Sequence, residues 1–303
     1  MAQVIIKPQA LSECAEAAAA VRHIIHACPE VGLDLVETEK TIVEALKSFG
    51  CEDIHTRVGG KDVAGVVCVI KGNKPGRTIG LRADSDALPL NENTGVPYTS
   101  TKEKRMHACG HDGHVATLLA VVKYLQENRD FAGTLVAIFQ PGEEGFAGAR
   151  FMVEDGLVDR FGIEEFYALH TEPSLDVGTV GFIEGYATAN ADIFEITFTG
   201  KGGHGSRPQM AHDPVVAAAE AVGALQSIVS RNVSPELSAV VSVCSLQAGD
   251  TNGTSVIPQK ALVRGTARSF EPEVRDLIER RIATIAEGIA IAHEMQATPV
   301  YTR

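Results

Sequence analysis

What this 303-residue chain lacks narrows it first. It has no lysine or arginine run and no basic patch interleaved with aromatics, and its net charge is −12, so nucleic acid is not an expected partner. No apolar run approaches the roughly 20 residues that span a bilayer, and residues 1–7 lack a signal-peptide pattern. A cytoplasmic protein with no membrane partner is therefore expected. The six cysteines (Cys14, Cys28, Cys51, Cys68, Cys109 and Cys244) include no close CxxC pair, which fits free thiols in a reducing compartment better than a disulfide framework. Internal repeats and low-complexity tracts are absent too. With 45% hydrophobic and 22% charged residues, the chain has the make-up of an ordinary soluble globular protein of one large domain or two smaller ones.

Hydrophobic periodicity supplies the plan. Segments 11–26 and 36–49 read as helices, the second with Thr38 as N-cap ahead of Ile42, Val43, Leu46 and Phe49. Apolar runs at 63–70, 78–81, 134–139 and 166–169 read as strands, with a helix at 115–126 between the second and third. Strands alternating with helices imply an α/β domain whose sheet is mostly parallel and covered on both faces. From Ala191 the rhythm changes to strand 192–199, helix 214–231, strands 237–246 and 262–269, helix 272–295, and a further strand from about Ala297. That is the split βαβ order of a smaller α+β, ferredoxin-like domain. The expected boundary divides 1–187 from 188–303.

The chemistry concentrates in His107-Ala108-Cys109-Gly110-His111-Asp112-Gly113-His114 and in the double acid Glu143-Glu144. Thiolate, imidazole and carboxylate hold divalent zinc, manganese, cobalt or nickel, and an unliganded glutamate beside such a set is what metal-assisted hydrolysis needs. A histidine-rich polar helix cap is the bland alternative. Arg82-Ala83-Asp84-Ser85-Asp86, Gln140-Pro141-Gly142-Glu143-Glu144 and His170 each fall where a strand is expected to end, the edge at which open α/β sheets bind ligands. Cys109 and His111 are expected just before the helix, where backbone N–H groups and the positive dipole end favour a thiolate. Asp86 and Asp112 read as acids orienting the ligating imidazoles. Asp84 reads equally well as a turn residue. Gly202-Gly203-His204-Gly205 is a turn presenting one imidazole, by itself more often a plain loop histidine.

These motifs, with Ala168-Leu169-His170, Val256-Ile257-Pro258 and Gly265-Thr266-Ala267-Arg268, resemble the M20 family of metal-dependent aminoacylases and carboxypeptidases, in its hippurate-hydrolase and auxin-conjugate-hydrolase branch. The likeness runs along essentially the whole chain. It implies a metallohydrolase domain with a lid and dimerisation domain, and a homodimer joined through the latter. It implies two divalent ions per site, with Cys109, His111, Glu144 and His170 as ligands and Glu143 as the general base acting on water. It implies His204 as a donor to the tetrahedral oxyanion, and Arg268 as a grip on the substrate carboxylate. The activity implied is hydrolysis of the amide bond of an N-acyl amino acid, with a dipeptidase or carboxypeptidase as the rival. No Pro-Cys-x-x-Cys follows the histidine motif, which disfavours a zinc nucleoside deaminase.

Two departures from the family pattern stand out. Ser255 occupies the place of the family's asparagine before Val256-Ile257-Pro258, with Asn252 three residues earlier, so Asn252 and Ser255 are the candidates for contacting substrate there. The family's catalytic domain also resumes after the second domain and supplies one more ligand histidine. None of His23, His26, His55, His212 or His293 falls at an expected strand end. The expectation is thus a chain that lacks the C-terminal part of the catalytic domain, and a poor catalyst by itself, or even an inactive homologue that only dimerises or binds ligand.

Overall fold

The computed structural model describes residues 8–303; residues 1–7, read above for a leader, lie outside it. The chain forms two compact units, Met1–Val177 and Gly178–Arg303. This division falls within a stretch, 169–191, that carries no helix or strand, ten residues ahead of the expected 187/188. Among the described residues no helix is long and apolar enough to cross a membrane.

The first unit begins with helices α1 (Pro8–Ala27) and α2 (Val36–Ser48), followed by strands β1 (Ile54–His55), β2 (Val66–Lys71) and β3 (Lys74–Asp84). Helix α3 (His111–Glu127), strand β4 (Ala132–Gln140), helices α4 (Gly148–Glu154) and α5 (Leu157–Phe161), and strand β5 (Glu165–Ala168) complete it. The sheet order is β1-β2-β4-β3-β5, with β4, β3 and β5 mutually parallel and β2 antiparallel to both its neighbours. Strand β1 therefore shares the sense of β4, and only β2 opposes the other four. Along β4, Leu135, Ala137 and Phe139 pack with α1, α2 and α3, while Val136 and Ile138 pack with Met152 of α4 and Leu157 of α5. A strand buried on both faces reads as an unbroken apolar run, which is why 134–139 was visible in the sequence.

Two local expectations change. Helix α2 starts two residues before Thr38, which is not its cap; instead the Glu30 carboxylate accepts from both the backbone N–H (2.8 Å) and the hydroxyl (2.9 Å) of Thr38. A carboxylate brought in from outside the helix satisfies an orphan first-turn donor as well as a capping side chain would. Helix α3 starts at His111 rather than at Val115, so His111 and Asp112 belong to its first turn and only Cys109 precedes it.

The second unit contains β6 (Asp192–Thr199), β7 (Gly203–His204), α6 (Pro214–Leu225), β8 (Ala239–Ala248), β9 (Val256–Ile257), β10 (Lys260–Ser269), α7 (Pro272–Ala292) and β11 (Gln296–Thr302). Its antiparallel sheet, in order β11-β6-β10-β8, is the expected ferredoxin-like plan. Both helices cover one face: Phe194, Ile196 and Phe198 of β6 and Ala261, Val263 and Ala267 of β10 pack beneath Ala217, Ala221, Ile278 and Ile282. At the end of that buried stripe Asp192 receives Arg275 Nε (2.8 Å) and the Tyr301 hydroxyl (2.7 Å), stapling β6, α7 and β11 together.

Candidate metal centre and active site

Three parallel strands deliver the site. Asp84 ends β3 opposite Gln140, the last residue of β4, and Ala168 ends β5 opposite Arg82, so the loops carrying Asp86, Glu143-Glu144 and His170 leave the same sheet edge. Helix α3 points its N-terminus there because Gly110 takes φ +86°, turning the chain sharply before His111. A β-carbon at Gly110 would come within 2.7 Å of the Thr171 hydroxyl, so any other residue in this left-handed turn would be strained and would displace Thr171.

Asp86 organises the acids. Its Oδ1 accepts the backbone N–H of Glu143 and its Oδ2 that of Glu144, both at 3.0 Å, and Oδ1 also faces His111 Nδ1 at 3.3 Å. One buried carboxylate thus fixes the turn that aims both glutamates and the ring that lies between them. The two glutamate oxygens stand close to His111 Nε2, at 4.0 Å for Glu143 and 3.9 Å for Glu144.

Thr171 sorts the histidines. Its backbone N–H donates to His114 Nε2 (2.9 Å), so the His114 proton sits on Nδ1, which donates to Asp84 at 2.5 Å. Its carbonyl accepts from His170 Nδ1 (2.7 Å), which leaves His170 Nε2 as an acceptor, 3.4 Å from Cys109 Sγ. His114 is closed by Asp84 and Thr171; His170 Nε2 faces only the Cys109 sulfur. Asp84 is buried far more deeply than a turn residue and is also held by Arg82 (2.7 Å). Burial pushes its carboxyl up, but His114, Arg82 and His111 outweigh that and bring it down to about 2.

Two sets of donor atoms lie within 4.8 Å of one another: Cys109, His111 and Glu144, and Asp84, His111, His114 and His170. His111 belongs to both. It is fully buried; Nδ1 faces Asp86 without hydrogen-bond geometry and Nε2 has no hydrogen-bond partner, a costly arrangement that a cation at Nε2 would relieve. The charge balance agrees. Burial, then Glu144, Glu143 and Asp84, push the Cys109 thiol up to about 12, against the helix-end effect expected to favour a thiolate. Glu143 is raised as well, by burial first and then by the Glu144 charge. These residues fit a divalent cation, whose positive charge the acid-rich cluster lacks.

Asp112 does not face the ligand rings. Its Oδ2 accepts Arg22 Nε (2.8 Å) and lies 2.9 Å from His26 Nδ1, while Oδ1 is buried without a partner. His107 lies nearby, with both ring nitrogens buried and unpartnered, and burial lowers it to about 4. Neither Arg22 nor His26 was singled out in the sequence. The one signal was their i, i+4 spacing, which puts two polar side chains on one face of an otherwise alanine-rich helix.

In the second unit, β7 pairs with β9, His204 opposite Val256, and Gly205 N–H donates to the Ser255 carbonyl (2.7 Å). Ser255 and the Asn252 turn are thereby held beside the His204 loop. Ser206 N–H donates to His204 Nδ1 (3.1 Å), so the exposed ring presents Nε2–H as a donor. Arg268 lies on the β10 face away from the helices and donates to the Ala267 carbonyl (3.0 Å) and the Thr266 hydroxyl.

The fold and this cluster define a metal-dependent hydrolase. Residues 80–275 match Peptidase family M20/M25/M40. Hippurate hydrolase of Campylobacter jejuni is 44% identical over 276 residues, which span 91% of this chain and 70% of that protein. N-acetylcysteine deacetylase of Bacillus subtilis is 40% identical over 278 residues, 91% of this chain and 71% of that protein. Among solved structures, the Bacillus subtilis YXEP protein, described as a dinuclear metal binding peptidase, superposes with a TM-score of 0.78 at 35% identity, covering 96% of this chain and 74% of that one. A protein from methicillin-resistant Staphylococcus aureus gives 0.88 at 34%, with 97% and 77% covered. The chain belongs to the M20 peptidase family, and is an enzyme of its amidohydrolase kind.

Proposed function

We propose that this protein hydrolyses the amide bond between an acyl group and an amino acid that carries a free carboxylate. The observation that carries the reading is the pairing of an open donor set with a free acid: Cys109, His111 and Glu144 converge, His170 turns its unprotonated Nε2 towards them, and Glu143 stands beside them half-exposed. The names of the relatives support the substrate class, since hippurate, N-acetylcysteine and N-acetyldiaminopimelate are all N-acyl amino acids.

Cys109, His111, Glu144 and His170 hold the metal, with two ions per site; a donor set mixing sulfur, nitrogen and oxygen suits manganese, zinc, cobalt or nickel. When bound, such ions polarise the amide carbonyl and bring the pKa of water towards roughly 7. Glu143 then takes the proton of the attacking water and returns it to the leaving nitrogen. Its raised pKa suits it to both steps, whereas an acid held strongly ionised would give the proton back poorly. Asp86 keeps the shuttle aimed by clamping its backbone. His204 Nε2–H donates to the oxyanion, Arg268 grips the substrate carboxylate, and Asn252 and Ser255 contact the substrate. The second unit joins two copies into a homodimer, with β8 and β11 as the open edges of its sheet.

A substrate panel tests the reading. N-acetyl and N-benzoyl amino acids should be cleaved in preference to dipeptides, and Glu143→Gln should lose about 10²- to 10⁴-fold in turnover while keeping its metal. A preference for dipeptides would overturn the substrate class, and an active Glu143→Gln variant would overturn the base. Sedimentation at micromolar concentration should give a dimer; a monomer alone would remove that part of the proposal.

A further inference from the structure

We propose that Arg22 and His26 on helix α1 are positioning residues for the metal centre, acting through Asp112. This rests on the ligand set proposed above. The Asp112 side chain is fully buried, and Arg22 and His26 reach its Oδ2 from α1, at sequence separations of 90 and 86 residues. The link continues outward. His26 Nε2 lies 3.1 Å from Glu92 Oε1, and the other Glu92 oxygen accepts the backbone N–H of Ser100 (2.6 Å) while Oε1 takes the Thr94 hydroxyl. Both His26 nitrogens are thus committed to carboxylates that are themselves anchored.

The consequence follows from helix geometry. Asp112 and His111 are neighbours in the first turn of α3, about 100° apart around its axis. Deeper along the helix Val115, Leu118, Leu119 and Val122 pack with Ala18 and Ile25 of α1, which fixes how close the helices lie. Packing sets the spacing of the helices, and hydrogen bonds to a buried carboxylate add a directional hold at the helix end nearest the site. Holding Asp112 towards α1 therefore holds His111 towards Asp84, Asp86, Glu143 and Glu144. Arg22 and His26 touch none of the proposed ligands, so their effect is on the precision of the site and not on its composition.

The test measures metal affinity by competition with a chromogenic chelator, using zinc and manganese, on the wild-type protein and on Arg22→Gln, His26→Leu, Asp112→Asn and the double variant Arg22→Gln/Asp112→Asn. Circular dichroism reports folding in parallel. Arg22→Gln is the safest variant to fold, since the Arg22 side chain is 40% exposed. Each single variant should bind metal roughly 10- to 100-fold more weakly while still folded. In the Asp112→Asn background, Arg22→Gln should weaken binding no further. Variants that melt earlier but bind metal as tightly as wild type would overturn the proposal, and so would fully additive effects in the double variant. Absence of metal binding by the wild-type protein would overturn the ligand assignment, and this proposal with it; tight binding by wild type and variants alike would overturn this proposal alone.

Discussion

Replacing Asp86 by asparagine changes one atom's chemistry and almost nothing of its shape. In the native arrangement Oδ1 and Oδ2 each accept one backbone N–H, from Glu143 and Glu144, at 3.0 Å. An amide keeps one oxygen and places an NH2 where the other was, so a donor then faces a donor. A hydrogen bond to a charged group contributes about 1.5–3 kcal/mol, and one such bond is lost outright. For a unit of this size each kcal/mol moves Tm by roughly 2–4 °C, which gives a fall of about 3–12 °C. Turnover should suffer more than stability, because the loosened turn carries both the base and a ligand. A displacement near 1 Å at a reacting group costs on the order of 10²-fold. Thermal unfolding followed by circular dichroism, with turnover of an N-acyl amino acid at saturating metal, reads both effects. A variant within about 1 °C of wild-type Tm and with wild-type turnover would refute the idea that Asp86 sets the Glu143-Glu144 turn.

Cys109→Ala should lose metal first, measured as bound ions per chain after dialysis, since a thiolate holds borderline cations far better than a methyl group does; unchanged stoichiometry would remove Cys109 from the ligand set. In the second unit, burial pushes the Asp192 carboxyl up, but Arg275 and Tyr301 outweigh it, so its folded pKa lies below the ordinary value. The stability it contributes is complete above the unfolded pKa of about 3.9 and is lost as pH falls below that. Asp192→Asn should therefore lower Tm at neutral pH and flatten the acid limb of the Tm profile; an acid limb as steep as that of wild type would show that other carboxylates control it.

The residues legible in the sequence were those whose position follows from local pattern. Apolar runs located β3, β4 and β5, and because parallel strands share a direction, the polar residues after each run had to meet at one edge. Cys109, His111 and Glu144 lie within reach of one another for that reason, and His170 meets Cys109 from the end of β5. What stayed hidden depends on partners distant along the chain. Asp84 looks like a turn residue until β4 and α3 close over it, and Asp112 looks like a partner of its neighbour His111 until α1 is packed 90 residues away. The same holds for Thr38, whose role is decided by Glu30 across a loop. The short helices α4 and α5 span only seven and five residues, too few to display a helical period.

The tautomers of His114 and His170 are both set by the peptide groups of Thr171, one by its N–H and one by its carbonyl. A main-chain instruction of this kind survives almost any point mutation at the position that issues it. Position 171 should refuse proline, the one residue without the N–H, and favour a hydroxyl, which lies 3.1 Å from His114 Nε2 and donates to the Cys109 carbonyl (3.3 Å). A centre wired this way keeps its histidine tautomers through most changes of side chain, because the main chain does the sorting.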